Sequence, residues 1–584
     1  MREGVAVGRT KAEAYRCVQR GVEASYQGVS TTAAPQMLLR PRKTAGEDRR
    51  RTLYGGTPKN INTKKIFLRK TQILFNLVVL QKTKTLIIMF RYGIDKLTVE
   101  KAIALAKGEL KGVLNDEAKA KINACRAKVE AIVASDKAVY GINTGFGPLC
   151  DVKITADETS QLQENLLITH AVGVGKPVDK FISKVMMIAK VHALSQGFSG
   201  VRLEVVERIM YFIENDLLPV VPEQGSVGAS GDLAPLSHLF LPLIGLGEFW
   251  DGGKRVPAQE MLERHGLKPL KLAAKEGLAL INGTQFILAH AIVGLDKMAY
   301  LLDLADLAGA MSIEGFQGSG SPFREELHQI RPYKGTLEVA EHMRSLFENS
   351  ENMESHRFCK RVQDPYSMRC IPQVHGASRN AYYHLKEMAE IEMNSVTDNP
   401  IVLSETEAVS GGNFHGEPMA MVLDYATIAA AELGNISDRR SYLLLEGKYG
   451  LPRLLIERGG LNSGYMIPQY TTAALVTENK VLCTPSSADS IPTSLGQEDH
   501  VSMGSISGRK FNQVLDNVEK ILAIELMYAA QALEFRRPLK SSKIIEENYK
   551  LIRSRVKKLE DDRPLKPDID AIIELVKERK FKVK

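Results

Sequence analysis

The sequence is short of paired cysteines, of aromatic residues and of long uncharged apolar runs. Its six cysteines, Cys17, Cys125, Cys150, Cys359, Cys370 and Cys483, form no CxxC pair and no regular spacing, which argues against a zinc ribbon or a disulfide-stapled scaffold and fits a reducing compartment. Aromatic residues make up only 6% of the 584, a level that suits packed Leu/Ala/Met helices better than a β-sandwich. The longest apolar stretch, Thr71 to Gln81, runs into Lys82 and Lys84. It falls short of the roughly 18 to 20 uncharged residues that a bilayer span needs, so no membrane association is expected. No HExxH occurs, and His415 and Glu417 have the wrong spacing for two metal ligands on one helical face, so no metal is expected.

The net charge of +8 is unevenly held. The first 88 residues carry 18 Lys and Arg against Glu3, Glu13, Glu23, Glu47 and Asp48, a surplus of 13, which leaves the other 496 residues at −5. The body therefore lacks the basic footprint of a nucleic-acid binder, and no nucleic acid is expected as a partner. All 12 histidines lie after residue 88, and the main boundary is placed there. Three readings stay open for residues 1–88: a targeting peptide, a basic arm for an anionic partner, or sequence upstream of a start at Met89. The expectation is a segment that is disordered or precedes that start.

Helical periodicity dominates from Leu97 onward. Val99 to Leu105 opens an amphipathic run, Glu417 to Glu446 reads as a long helix entered at Pro418, and Leu515, Val518, Leu522 and Leu526 mark one face of another that ends before Pro538. The fold class expected is mainly α, a long-helix bundle, with residues 89–300 carrying the glycine-rich loops of a site and residues 301–584 the bundle proper. Two of these loops are YGINTGFGP (140–148) and EQGSVGASGDLAP (223–235), and a third glycine-rich loop, SGGNFHGEP (410–418), falls in the second region. Loops so rich in glycine, set among helices, are where a site is expected.

Familiar nucleophile and phosphate motifs fail in these loops. GVGKP (173–177) lacks the Ser/Thr after lysine that a phosphate loop requires. Ser230 lies in GASGD, without glycine at both second flanks of a hydrolase elbow. Ala229-Ser230-Gly231 can do something else: in a sharp bend the Gly231 nitrogen can reach the Ala229 carbonyl carbon, with the least steric hindrance that side chains allow. Loss of one water closes a five-membered ring, and loss of a second from Ser230 leaves an exocyclic methylene, an electrophile that the twenty side chains do not supply. Alone, the tripeptide is far more often an ordinary turn.

GSVGASGDLAPLSH (225–238) resembles the signature of the aromatic amino-acid ammonia-lyases. YGINTGFGP, LQENLLITHAVGVG (162–175), EGLALINGTQ (276–285), VQDPYSMRCIPQV (362–374), TDNP (397–400), GGNFHGEP (411–418) and GQEDHVSMG (496–504) follow in family order. The resemblance spans roughly Tyr92 to Ser541. It implies an aspartase-like bundle and a 4-methylidene-imidazol-5-one (MIO) group formed from Ala229, Ser230 and Gly231, with no dissociable cofactor. It also implies a cytoplasmic homotetramer with active sites shared between chains, and a place at the first step of histidine degradation.

The ring-binding residues point to the substrate. Thr169-His170 stands where histidine-specific members carry Ser-His, and QEDH (497–500) is similar to their pattern. A carboxylate at Glu498 can accept an imidazole N–H, whereas a phenyl ring would leave it buried and unpaired, at a cost of several kcal/mol. The resemblance thus implies non-oxidative deamination of L-histidine to trans-urocanate and ammonia. It makes Tyr140 the group that removes the β-proton, with Tyr366 as its counterpart near the prosthetic group. Arg369 becomes the carboxylate clamp, Asn282 and Gln363 hydrogen-bond donors to prosthetic group and substrate, and Phe414 a packing surface for the ring. Because a phenol titrates near 10, Tyr140 is expected beside a cation or oriented N–H groups that lower its pKa. Each residue also has a structural reading: Tyr140 anchors its loop, Asn282 caps a helix, Phe414 and His170 belong to the core, and Glu498 pairs with an arginine. Other readings of the whole chain are a phenylalanine or tyrosine ammonia-lyase, an aminomutase using the same electrophile, or an inactive scaffold homologue.

Overall fold

A computed structural model of the chain describes residues 89–584 except 136, 137, 151, 153, 156, 157 and 359. The basic extension, residues 1–88, lies outside the described residues. Helix α1 (Val99–Lys107) is capped by Thr98, whose side chain accepts from the Lys101 N–H, and it ends on Gly108 in the left-handed conformation. Its buried face is Val99, Ala102, Ile103, Leu105 and Ala106, the amphipathic run read from the sequence. Further along lie α2 (Thr159–His170), α3 (Lys180–Leu194), α4 (Leu233–Phe240) and the short α5 (Glu276–Ile281).

The bundle is built from α6 (Gln285–Phe316), α7 (Ile371–Met393), α8 (Glu417–Leu445) and α9 (Gly504–Glu534). The expected face Leu515, Val518, Leu522 and Leu526 of α9 is wholly buried. Helices α6 and α8 both pack on α9, and α7 packs on α8. Close approach of α6 to α9 depends on Gly294, where a Cβ would stand 2.4 Å from the Phe511 ring. Deep in the bundle the Arg440 guanidinium donates to Glu525 at 2.8 Å, and Ser312 donates to the same carboxylate at 2.8 Å. This ties α6, α8 and α9 together through one buried charge pair, in which either partner alone would be an uncompensated ion.

Among the described residues, strands occur only as two-stranded pairs. One of them, Val174–Pro177 against Pro222–Gln224, contains the GVGKP segment, so its lysine lies on a strand and not in a phosphate cradle. Residues 300 and 301, where the sequence suggests a division of the body, sit inside α6, so both regions share that helix. No described helix is long and apolar enough to cross a membrane.

Candidate active site

The three glycine-rich loops, the C-terminal end of α2 and the loop before α9 line one cavity of about 1010 Å³. Among its walls are Tyr140, His170, Ala229, Ser230, Asn282, Phe414 and Glu498.

The loop bearing Ser230 is bent and held from two sides. Gly228 and Gly231 have φ of +71° and +74°. A Cβ at Gly231 would lie 2.2 Å from the Gly283 oxygen, so only glycine fits there. Next in the chain, the Asp232 N–H donates to the same Gly283 oxygen at 2.8 Å. The Asp232 carboxyl accepts from the N–H groups of Phe286 and Ile287, at 2.9 and 3.0 Å, and so pins the loop to the first turn of α6. Burial pushes that carboxyl up to about 7, against the pull of those two N–H groups. On the opposite side the Met503 N–H donates to the Val227 oxygen at 2.9 Å, and the Ser505 hydroxyl to the Ser226 oxygen at 2.7 Å. Ala229 packs with Val501 and Met503.

Asn282 follows the last residue of α5 and turns its amide nitrogen to the Ser230 carbonyl oxygen at 2.7 Å. Behind it, the Lys190 ammonium donates to the backbone oxygens of Ala279 and Asn282, at 3.0 and 2.7 Å. Burial drives this lysine down to about 7.

Glu498 comes from a tight turn in which Thr493 and Glu498 are bridged. One carboxylate oxygen accepts from the Thr493 and Ser494 hydroxyls at 2.8 and 3.0 Å, and the other accepts from the Ser230 hydroxyl at 2.8 Å. No arginine pairs with it among the described residues' ion pairs. Thr169 uses its one hydroxyl proton on the Asn165 oxygen at 2.8 Å. Its oxygen, 3.1 Å from His170 Nδ1, is therefore an acceptor there, which assigns the proton to Nδ1 and leaves Nε2 as an acceptor. Burial lowers the His170 pKa, with the Glu498 charge in partial opposition.

Tyr140 departs from expectation. Its oxygen accepts one N–H, from Gly147 at 3.4 Å, and burial outweighs that bond, raising the phenol above its ordinary value. The lowered pKa expected from the sequence is not produced by the groups this chain places around it, because desolvation penalises the phenolate more than a single long hydrogen bond favours it. Tyr366, Gln363 and Arg369 do not reach this cavity. Gln363 and Arg369 line a different one beside Arg324, Arg344 and Arg361. Arg369 donates to the Asp364 oxygen at 3.0 Å and stacks over Tyr366 at 4.6 Å. Tyr366 is 72% exposed and Val362 98%.

The sequence reading did not single out Asp232, Lys190, Thr493 or Ser494. Asp232 directly follows the tripeptide, and Lys190 interrupts the apolar run Val185 to Val191 of α3; both carried a signal. Thr493 and Ser494 sit in a polar loop whose turn only the backbone reveals.

The family model for aromatic amino acid lyases matches residues 97–554. A histidine ammonia-lyase of Myxococcus xanthus is 46% identical over 484 residues, 82% of this chain and 95% of that one. One of Symbiobacterium thermophilum is 48% identical over 482 residues, 82% and 95%. Among solved structures, histidine ammonia-lyase from Trypanosoma cruzi aligns with a TM-score of 0.78 at 41% identity, over 84% of this chain and 94% of that one. Tyrosine aminomutase from Streptomyces globisporus aligns with a TM-score of 0.80 at 34% identity, over 85% and 98%. Such lyases in general depend on a methylidene-imidazolone group. A bent Ala-Ser-Gly loop on a cavity, in a bundle that matches these structures along most of its length, places the chain in the aromatic amino acid lyase family, among the enzymes that cleave carbon–nitrogen bonds.

Proposed function

We infer that the chain deaminates L-histidine without oxidation, giving trans-urocanate and ammonia, with MIO formed from Ala229, Ser230 and Gly231. The observation that carries the substrate is Glu498: its carboxylate is fixed by two hydroxyls, faces the cavity and has no cationic partner among the described residues. An imidazole N–H satisfies such a carboxylate, whereas a phenyl ring in the same place leaves it short of a donor. His170, with Nε2 as an acceptor, adds a second polar wall beside the ring.

The residues present fit the prosthetic group. Gly231 lacks the Cβ that would collide with Gly283, the Ser230 carbonyl already accepts from Asn282, and the Ser230 hydroxyl points away from the loop toward Glu498. When formed, the group supplies an electrophilic methylidene carbon that helps ammonia to leave. Asn282 would hold its carbonyl, and Lys190 would keep Asn282 in place. Phe414 offers an apolar face to the ring. Tyr140 carries the β-proton at its hydroxyl oxygen, and the Gly147 N–H favours the charged form as that proton moves.

A carboxylate clamp is still needed in the cavity. We place Arg369, Gln363 and Tyr366 of a neighbouring subunit there, in a cytoplasmic homotetramer. The exposure of Tyr366 and Val362 supports this reading. A cation arriving next to Tyr140 would also oppose the burial that raises its pKa.

The test is ultraviolet absorbance after adding L-histidine, L-phenylalanine or L-tyrosine to the purified chain. A urocanate band with histidine alone is the expected result. A cinnamate or coumarate band overturns the substrate, and β-amino acid products would identify an aminomutase.

A further inference from the structure

The hydrogen bond between Ser230 and Glu498 belongs to the unmodified tripeptide, since the Ser230 oxygen is lost when the ring matures. A carboxylate reserved for substrate has no need to engage that hydroxyl. We propose that Glu498 acts twice: it first delivers the proton with which the Ser230 oxygen leaves as water, and only then becomes the acceptor for the substrate ring. This rests on the reading of residues 229–231 as the source of the prosthetic group.

In the unmodified chain the Ser230 hydroxyl donates to the Glu498 carboxylate, and with the carboxyl protonated the same contact runs the other way, as a general acid requires. Ser230 Oγ and Glu498 Oε1 are 2.8 Å apart, within the range for direct proton transfer. Glu498 Oε2 already accepts from Thr493 and Ser494, so a proton on the neutral carboxyl sits on Oε1, the oxygen facing Ser230. Asp232, the other acid of the loop, has one oxygen held by two backbone N–H groups of α6 and the other buried without a partner among the described residues, and it is Glu498 that the Ser230 hydroxyl engages. Hydroxide is a poor leaving group, because its conjugate acid, water, has a pKa of about 15.7. An acid at this distance removes that obstacle.

The balance is as follows. In ring closure the Gly231 nitrogen bonds to the Ala229 carbonyl carbon, and the Ala229 oxygen leaves as water with the amide protons of Gly231 and Ser230. In the second step the Ser230 Cα–H bond breaks and its electron pair forms the Cα–Cβ double bond. The Cβ–Oγ bond breaks, and Oγ departs as water with the Glu498 proton. Cavity water takes the Cα proton and returns it to the Glu498 carboxylate, so the acid is regenerated and the chain loses two waters in all. With the hydroxyl gone, the Oε1 lone pairs face the cavity.

The readout is the mass of the intact full-length protein, and of a proteolytic fragment spanning residues 225–238, followed with time after synthesis. The wild-type chain should lack two waters. Glu498→Gln keeps the size and the bonds to Thr493 and Ser494 but has no acidic proton; it should accumulate chains that have lost at most one water. The second loss should be about 10²- to 10⁴-fold slower, the usual contribution of a general acid. Glu498→Ala with added formate should recover the second loss in a concentration-dependent way, which a purely structural role would not produce. A Glu498→Gln chain that loses both waters at the wild-type rate overturns the proposal while leaving the source of the group intact. If that variant does not fold, an absence of any response of Glu498→Ala to formate overturns it equally. A wild-type chain with no missing water would instead remove the reading on which the proposal rests.

Discussion

Lys190 and Asn282 are joined by a 2.7 Å hydrogen bond from the lysine ammonium to the asparagine backbone oxygen, while the side chain of that asparagine donates to Ser230 at 2.7 Å. The bond links the apolar helix α3 to the reactive loop through Asn282, a wall of the cavity that Lys190 itself does not line. Replacing Lys190 with Met leaves two buried carbonyls without donors, each worth about 1–3 kcal/mol. The expected outcome is a lower thermal midpoint and a fall in kcat with little change in KM, read by calorimetry and steady-state kinetics.

Asn282→Ala removes the donor to the Ser230 carbonyl and leaves the loop otherwise intact. By analogy with the loss of a single preorganised donor from an anionic site, kcat should fall about 10²- to 10³-fold. Circular dichroism should show an unchanged helical fold, and a variant with wild-type kcat would remove Asn282 from the catalytic account.

Gly231→Ala forces a methyl group to 2.2 Å from the Gly283 oxygen at a φ of +74°. The left-handed conformation alone costs an alanine roughly 1–2 kcal/mol, and the overlap adds to it. The protein should be inactive and should keep the mass of the unmodified chain. Loss of two waters in this variant would show that the bend is not required.

Sharing of sites between subunits has a direct check. Ser230→Ala and Arg369→Lys should each be inactive or nearly so when prepared alone. Mixed oligomers refolded from both should regain activity, because some cavities then receive an intact Ser230 loop from one chain and an intact Arg369 from another. No recovery in proven mixed oligomers would place Arg369 outside the site.

Acid should unfold the protein through histidines that burial keeps neutral. Burial lowers His192 to about 4 and His290 to about 3. Between those values and the ordinary 6.5 the unfolded chain binds protons that the folded chain does not. Stability therefore falls as pH drops below about 6.5, by up to several kcal/mol per residue when both forms are fully titrated. His342, whose pKa is raised by Asp306, works in the opposite sense. Denaturation midpoints measured from pH 7 to pH 4 should decline, and a neutral replacement such as His290→Asn should flatten the decline.

The long helices were legible because their apolar spacing follows a 3.6-residue period and because Pro418 and Pro538 mark an entry and an exit. The tripeptide and its flanks were legible because ring closure demands particular small residues in immediate succession, and adjacency in the chain is what a sequence records. Substrate choice was half legible: Glu498 is visible as an acid, but not as an acid without an arginine. That required the turn that brings Thr493 and Ser494 onto one carboxylate oxygen and Ser230 onto the other, across 268 residues. Tertiary structure also decided the protonation of Tyr140, since burial is a property of the packed cavity and no local motif encodes it. It likewise decided that Tyr366, Gln363 and Arg369 lie apart from the residues they follow in family order. Local chemistry and helical period are written along the chain, whereas desolvation and contacts between distant loops arise only when the bundle has closed around them.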